Sequence, residues 1–324
     1  MLLALTFAGV LSRFLWMTQM PLRSFAGTLP PLTSEESELR DRLSTEVGYL
    51  SVKIGDRSLP RLRSLQAAKD YLSSSFREQG YTVVERPYVV EGDTVSNLEV
   101  SLAGTDSTLG QVIVGAHYDS VDGTVGANDN ATGVAAVLEL ARLLRQMKFR
   151  RRVRFVLFVN EEPPYFQTEE MGSRVYAHQL RREGVPVSAM LSLETIGFYS
   201  DEPGSQKYPG VLGLFYPNKG NFIAFVGSTP SRASVREYVR DFRESTRFPA
   251  EGIAAPSDWP GIGWSDQWSF WQEGYPGVMV TDTAPFRYPY YHTPIDTIDK
   301  VNFDRTARVV QGIGTLVEQL ANKP

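Results

Sequence analysis

Residues 111–144 read QVIVGAHYDSVDGTVGANDNATGVAAVLELARLL, and the fold class follows from this stretch. Gln111–Ala116 is a short, unbroken apolar run, the pattern of a strand buried on both faces. It ends in His117-Tyr118-Asp119-Ser120, and a glycine-bounded loop, Gly126–Gly133, follows. Val134, Val137, Leu138, Ala141 and Leu144 then recur at helical spacing and mark an amphipathic helix. Strand, polar loop and helix form the unit of a parallel sheet covered by helices. The unit repeats outward. Arg152–Val159 (RVRFVLFV) is a second buried strand, followed by helical spacing from Glu169 to Arg182. Ala189–Leu193, Phe222–Val226 and Gly277–Thr281 are further strands, and a last helix spans Asp304–Ala321. Upstream, Leu65, Ala68, Leu72 and Phe76 mark a helix that Gly80 stops. The expected fold is α/β, with a mixed, mostly parallel central sheet and helices on both faces. Ser200–Gly220, rich in Gly, Pro and Tyr, reads as a long loop near the site.

Composition narrows the chemistry. The 324 residues carry 33 basic and 37 acidic side chains, which argues against an electrostatic nucleic-acid binder. No cysteine is present, so disulfide scaffolds, thiol catalysis, iron–sulfur clusters and cysteine-bound zinc are excluded. Only His117, His178 and His292 are available for imidazole chemistry. Met1–Met20 is almost wholly apolar but is interrupted by Arg13, and a membrane span needs ~20 consecutive apolar residues. Ser24-Phe25-Ala26 offers small residues at signal-cleavage spacing, although no basic stretch precedes the apolar run. Residues 1–33 are therefore expected to be a signal or membrane anchor plus a linker (Gly27–Thr33). Residues 34–324 are expected to form the catalytic domain, exported or tethered to a membrane.

Polar residues gather just after the expected strands. His117 and Asp119 follow the first, Glu161 and Glu162 the second, and Glu194 the third. Tyr291 and His292 come after the strand at Gly277, and Asp129 lies in the loop before the first helix. Open α/β sheets bind ligands at the carboxyl ends of their strands. Imidazoles with carboxylates suit zinc, and this set is too large for one open tetrahedral ion. It is about right for two zincs sharing a carboxylate, with one glutamate left over as a base. Adjacent residues at a strand end point in opposite directions, so only one of Glu161 and Glu162 would bind metal. Two-metal sites generate a hydroxide and polarise a carbonyl together, which implies hydrolysis of an acyl bond, with a peptide as substrate.

Other features have plainer readings. His178 sits mid-helix with no carboxylate pattern. Glu169-Glu170 complements a helix dipole, and Lys148–Arg152 is a solvated basic run after a helix end. Asn130-Ala131-Thr132 matches a glycosylation sequon, but a glycan beside a metal ligand would block the site. Trp264, Trp268, Trp271, Phe286 and Tyr288 are read mostly as core.

At these residues the sequence resembles metallopeptidase family 28, the co-catalytic zinc aminopeptidases, which include bacterial leucine aminopeptidases and glutamate carboxypeptidase. The likeness spans roughly residues 40–320 and is carried by GAHYDSV, GANDNATGVAAVLELARLL, FVNEEPPYFQTEEMGS, SLETIGFY, SDQWSFWQEGYPGVMVTDTAPFR and YYHTPIDT. It implies two zincs per chain and exopeptidase chemistry through a metal-bridging hydroxide. His117 would bind one zinc with Asp119 orienting it, and Asp129 would bridge both ions. Glu161 would be the general base, while Glu162 and His292 would complete the second site. Glu194 stands where many members carry Asp, and Gln267 where many read His. Tyr291 resembles a tyrosine that stabilises the tetrahedral intermediate. Three alternatives remain. A glutaminyl cyclase would share the fold but use one zinc. A carboxypeptidase of the family would need a cation such as Arg287 for the substrate carboxylate, and a non-catalytic ectodomain would tend to lose ligands.

Overall fold

The structure is a computed structural model and describes residues 12–323. An eight-stranded sheet forms its centre. The strands are β1 (Val84–Val90), β2 (Asp93–Leu102), β3 (Gln111–His117), β4 (Val153–Phe158), β5 (Val187–Glu194), β6 (Ile223–Ser228), β7 (Ala250–Ala255) and β8 (Val278–Thr281). Their order across the sheet is β1-β2-β4-β3-β5-β8-β6-β7. The inner four, β4, β3, β5 and β8, run parallel, while β2 and β6 flank them antiparallel. This is the expected mixed, mostly parallel sheet.

Seven α-helices follow in chain order: α1 (Ser34–Gly48), α2 (Leu62–Glu78), α3 (Gly133–Leu144), α4 (Gly172–Arg182), α5 (Arg232–Ser245), α6 (Gln267–Gln272) and α7 (Phe303–Asn322). Residues 12–18 add a short helical stretch. Helix α7 packs against α1, α3 and α5 on one face of the sheet, and α4 packs against α6 on the other. The apolar run of β3 is explained by this sandwich. Val112, Val114 and Ala116 join the larger core, while Ile113 joins the second core with Phe158, Tyr176 and Phe270.

Five expected strands and four expected helices are present, with ends shifted by a few residues. Helix α4 starts at Gly172 rather than Glu169, because the Gly172 amide donates to Val159 O at 2.8 Å. A Cβ at Gly172 would stand 2.2 Å from that same carbonyl, so only glycine fits. The β1–β2 hairpin escaped the sequence reading because β1 lies at the sheet edge, carries Pro87 and buries little. Its turn, Glu91-Gly92, has φ of 51° and 92°, as a two-residue hairpin turn requires. Strand β7 (AEGIAA) carries only one branched residue, Ile253, among alanines and a glycine, too weak a strand signal. Helices α1 and α5 were legible in principle. Thr33 and Glu36 form a capping box before α1, and α5 buries Val235, Tyr238, Val239 and Phe242 at helical spacing.

The expected leader or anchor falls partly on residues 1–11, outside the described residues. Among the described residues no helix is long and apolar enough to cross a membrane. The expected long loop is present between β5 and β6, interrupted by a single 3-10 turn at Leu212–Leu214.

Candidate active site

The carboxyl ends of the inner strands converge as the sequence predicts. His117 ends β3, Glu194 ends β5, and Glu161-Glu162 follow β4 by a few residues. Asp129 enters from the loop before α3, and His292 from the segment after β8. Asp129 sits between the imidazoles: its Oδ1 lies 3.4 Å from His117 Nε2 and its Oδ2 lies 3.2 Å from His292 Nε2. Glu194 Oε2 is 3.2 Å from His117 Nε2, and Glu162 Oε2 is 3.2 Å from His292 Nε2. Two candidate donor triads therefore share one carboxylate: His117, Asp129 and Glu194, and His292, Asp129 and Glu162; a third grouping joins His117, Glu161 and Glu162. Glu161 Oε2 stands 3.8 Å from His117 Nε2, on the edge of the first triad.

Backbone geometry aims these groups. Asn160, Thr195 and His292 have φ of 58°, 43° and 56°, a left-handed conformation costing non-glycine residues about 1 kcal/mol or more. Each either precedes, follows or is a residue of the cluster, so the strain lies where the side chains must turn inward.

The electrostatics call for cations. Burial and the neighbouring Glu194 and Glu162 hold Glu161 well above the usual carboxylate range, although His117 opposes them. Burial and Asp129 push Glu162 up to about 8. Burial disfavours charge on His292, yet Asp129 and Glu162 outweigh it and raise the group to about 10. Meanwhile His117 Nε2, both Asp129 oxygens and Glu162 Oε1 are buried without any hydrogen-bond partner. Native interiors rarely leave polar atoms so. Orphaned oxygens and imidazole nitrogens facing one another are the donor set of a zinc site, so the residues fit the expected metal.

Asp119 supports the centre from behind. Its Oδ1 is 3.5 Å from His117 Nδ1, and its two oxygens accept the amides of Glu161 (3.2 Å) and Glu162 (3.1 Å). The nearer partner of His117 Nδ1 is the Asp119 main-chain carbonyl, at 3.2 Å, so Asp119 orients the imidazole chiefly through its backbone and the acidic pair through its carboxylate. Tyr291 stacks on the His292 ring at 3.8 Å and lines the pocket beside it. His178 lies outside both triads, on α4; contrary to the sequence reading it has a carboxylate neighbour, Glu273, at 3.2 Å. Asn130 is fully buried and donates to Leu193 O at 2.8 Å while its own oxygen accepts the amides of Thr195 and Gly133. It ties the Asp129 loop to the end of β5 and leaves no room for a glycan.

Three supporting residues were missed by the sequence reading. Asp296 accepts the amides of Asn128 (2.9 Å) and Asp129 (3.0 Å) and a hydrogen bond from the Tyr288 hydroxyl. Asp282 accepts from Asn128 Nδ2 at 2.9 Å and from the Phe198 amide at 2.7 Å. Arg57 is fully buried and donates to the carbonyls of Leu50, Gly55, Tyr118, Val125 and Gly126 at 2.7–3.2 Å. The Val125 and Gly126 carbonyls belong to the loop joining Asp119 to Asp129, and Tyr118 directly precedes it. Burial lowers Arg57 to about 10, and Asp119, Asp296 and Asp129 pull it back up. It therefore stays charged near neutrality. Gly126, with φ of 52°, lets the loop pass: a Cβ there would meet Asp129 O at 2.2 Å and the Arg57 guanidinium at 2.9 Å. Arg57→Ala leaves these carbonyls unpartnered, and its zinc affinity is expected to fall ~10–100-fold. Competition with a chromogenic chelator measures this, and an unchanged affinity would contradict the role.

A cleft opens beside the first triad. Its walls are largely apolar, including Leu212, Ile253, Ile262, Met279 and the stacked pair Trp264–Phe286, with Glu194 and Tyr291 at the metal end. Trp264 and Phe286 are thus pocket residues rather than core. Among the described residues lining it there is no Lys or Arg. Arg287 is turned away, its guanidinium donating to Gln206 Oε1 (2.7 Å) and Phe222 O (2.7 Å).

The model of peptidase family M28 matches residues 97–317, which include every residue of both triads. The chain belongs to peptidase family M28. Among relatives of this M28 peptidase, "Uncharacterized protein YfbL" of Escherichia coli is 37% identical over 86% of this chain and 87% of its own length. "Probable lipoprotein aminopeptidase LpqL" of Mycobacterium tuberculosis is 29% identical over 65% of this chain and 42% of its own length. The solved aminopeptidase from Aneurinibacillus sp. strain AM-1 superposes with a TM-score of 0.67 at 18% identity, covering 90% of this chain and 96% of that one. The M28 peptidase is thus a zinc-dependent metallopeptidase by family and by donor set.

Proposed function

We propose that the protein is a two-zinc aminopeptidase that removes N-terminal residues with large apolar side chains from peptides. The observation that carries this is Asp129, whose two oxygens face two different imidazoles and so can be shared by two ions. His117, Asp129 and Glu194 would hold one zinc, and His292, Asp129 and Glu162 the other. Bound there, the ions supply a nucleophile at neutral pH and polarise the scissile carbonyl.

The chain's own residues do the rest. Glu161, buried beside the first triad and not needed as a ligand, takes the proton of the attacking water and delivers it to the leaving nitrogen. Tyr291, at the metal end of the cleft, donates its hydroxyl to the developing oxyanion. Asp119 fixes the directions of His117, Glu161 and Glu162. The cleft receives the side chain of the residue to be released, since Glu194 and Tyr291 belong to both cleft and metal centre.

Three alternatives are disfavoured by particular observations. A solved glutaminyl cyclase from Porphyromonas gingivalis shares the fold, so the fold alone does not choose. The second triad, His292 with Glu162 and the shared Asp129, supports two ions over one. A carboxypeptidase needs a cation for the substrate carboxylate, and the lining offers none, while Arg287 is buried with its Nε and Nη1 turned onto Gln206 and Phe222. Retention of all ligands and of Glu161 likewise disfavours a non-catalytic scaffold. The apolar start of the chain and the LpqL relative support an exported or membrane-associated protein.

Leucine p-nitroanilide tests the reading. Release of nitroaniline is expected from the free amine substrate, abolished by chelation and restored by zinc, with N-acetyl-leucine p-nitroanilide inert. Equal cleavage of the acetylated compound would overturn the aminopeptidase assignment.

A further inference from the structure

The apolar start of the chain does not end at a linker in space. Phe14 stacks on Phe215, with ring centroids 5.7 Å apart and planes 4° apart, and its ring lies 5.9 Å from that of Trp259. Phe215 belongs to the loop between β5 and β6, which gives Gln206, Tyr208, Leu212 and Tyr216 to the cleft. Trp259 belongs to the loop between β7 and α6, which gives Pro260, Ile262 and Trp264. Met17 is 1% exposed and packs in one cluster with Leu212, Ile253 and Ile262, all of which line the cleft. A single helical stretch therefore touches two of the loops that wall the pocket.

The segment is fastened along its length. Arg232 donates to Trp16 O at 2.7 Å, with its guanidinium 4.3 Å from the Trp16 ring, and Arg236 donates to Gln19 O. Arg243 donates to the carbonyls of Pro21 and Leu22, both at 2.9 Å. The Ala250 amide of β7 donates to Ser24 Oγ at 3.0 Å. Strand β7 is a sheet edge, which exposes unpaired amides unless something covers it.

We infer that residues 14–24 are a strap that holds the two pocket loops in place, sets the size of the side chain the enzyme accepts, and stays with the domain in the working protein. Loops that are ordered before substrate arrives spare binding the cost of ordering them. A chain cut after Ala26 would lose Phe14, Met17 and Ser24 together, and with them the pocket's outer support. The inference rests on reading the cleft as the side-chain site.

The test uses the full chain carrying Met17→Asp, which places a charge in the apolar cluster, and separately the milder Phe14→Ala. Both contacts lie outside the main core, and thermal melting checks that each variant is folded. The ratio of kcat/KM for leucine over alanine p-nitroanilide is expected to fall about tenfold in Met17→Asp, chiefly through KM for leucine. Hydrogen exchange in residues 201–221 and 256–266 is expected to quicken in both variants. Should Met17→Asp unfold, Phe14→Ala decides alone. An unchanged ratio in a folded variant, or unchanged exchange in both loops, overturns the strap. If the unaltered protein cleaves neither substrate, the aminopeptidase reading falls, and hydrogen exchange still decides whether the segment holds the loops.

Discussion

Glu161→Gln is expected to lower kcat by ~10²–10⁴-fold while zinc content stays at the level of the unaltered protein. The amide keeps the shape of the side chain but cannot accept the proton of the attacking water. Glu161 groups with His117 and Glu162 as a third donor set, but it belongs to neither triad built around Asp129, and both of those stay complete without it. Its amide still donates to Asp119, which holds the strand end in place. Glu162→Gln makes the contrast, because Glu162 faces His292 at 3.2 Å and its loss should deplete zinc. Elemental analysis of both variants beside their turnover separates base from ligand. Near-normal turnover in Glu161→Gln would remove the base assignment.

Asp129→Asn is expected to abolish turnover and to weaken binding of both ions by at least ~10²-fold, beyond the range found for changes outside the ligand shell. One oxygen of the carboxylate becomes an amino group, which cannot ligate, and the charge that both imidazoles face is lost. Held between His117 and His292, Asp129 is buried but its pKa is pulled well down, because the two imidazoles outweigh the effect of burial. The variant should therefore show little rise in melting temperature on adding zinc, whereas the unaltered protein gains stability as the ion concentration exceeds its dissociation constant. Loss of a single ion with the other bound normally would mean that the triads do not share this carboxylate.

Four of the proposed site positions were legible because each follows a buried strand, and a parallel sheet brings its strand ends to one edge. His117, Glu161, Glu162 and Glu194 stand there for that reason alone. His292 and Asp129 come from longer connections, and only their pattern within the GANDNATG and YYHTPIDT stretches pointed to them. The residues behind the site were silent. Arg57 looks like any basic residue in a polar turn, and its burial among carbonyls depends on residues 50–57 meeting residues 118–126, far away in sequence. Asp282 and Asp296 lie inside the quoted stretches but act by accepting backbone amides, which leaves no compositional trace.

Packing preferences were read less well than chemistry. Trp264 and Phe286 are aromatic in either a core or a pocket, and only the open cleft distinguishes the two. The apolar residues near the start pose the same problem. Hydropathy cannot say whether Phe14 and Met17 meet lipid or the domain's own loops, and in the fold they meet Phe215, Trp259 and Leu212.

The claim on which the rest depends is that two zincs share Asp129. Elemental analysis of the purified protein, equilibrated with zinc and freed of excess, tests it most directly. Two zincs per chain are expected, and stepwise removal by a chelator should abolish release of leucine. One zinc per chain at saturation, with no aminopeptidase activity, would contradict the account and turn attention to single-zinc chemistry on the same fold.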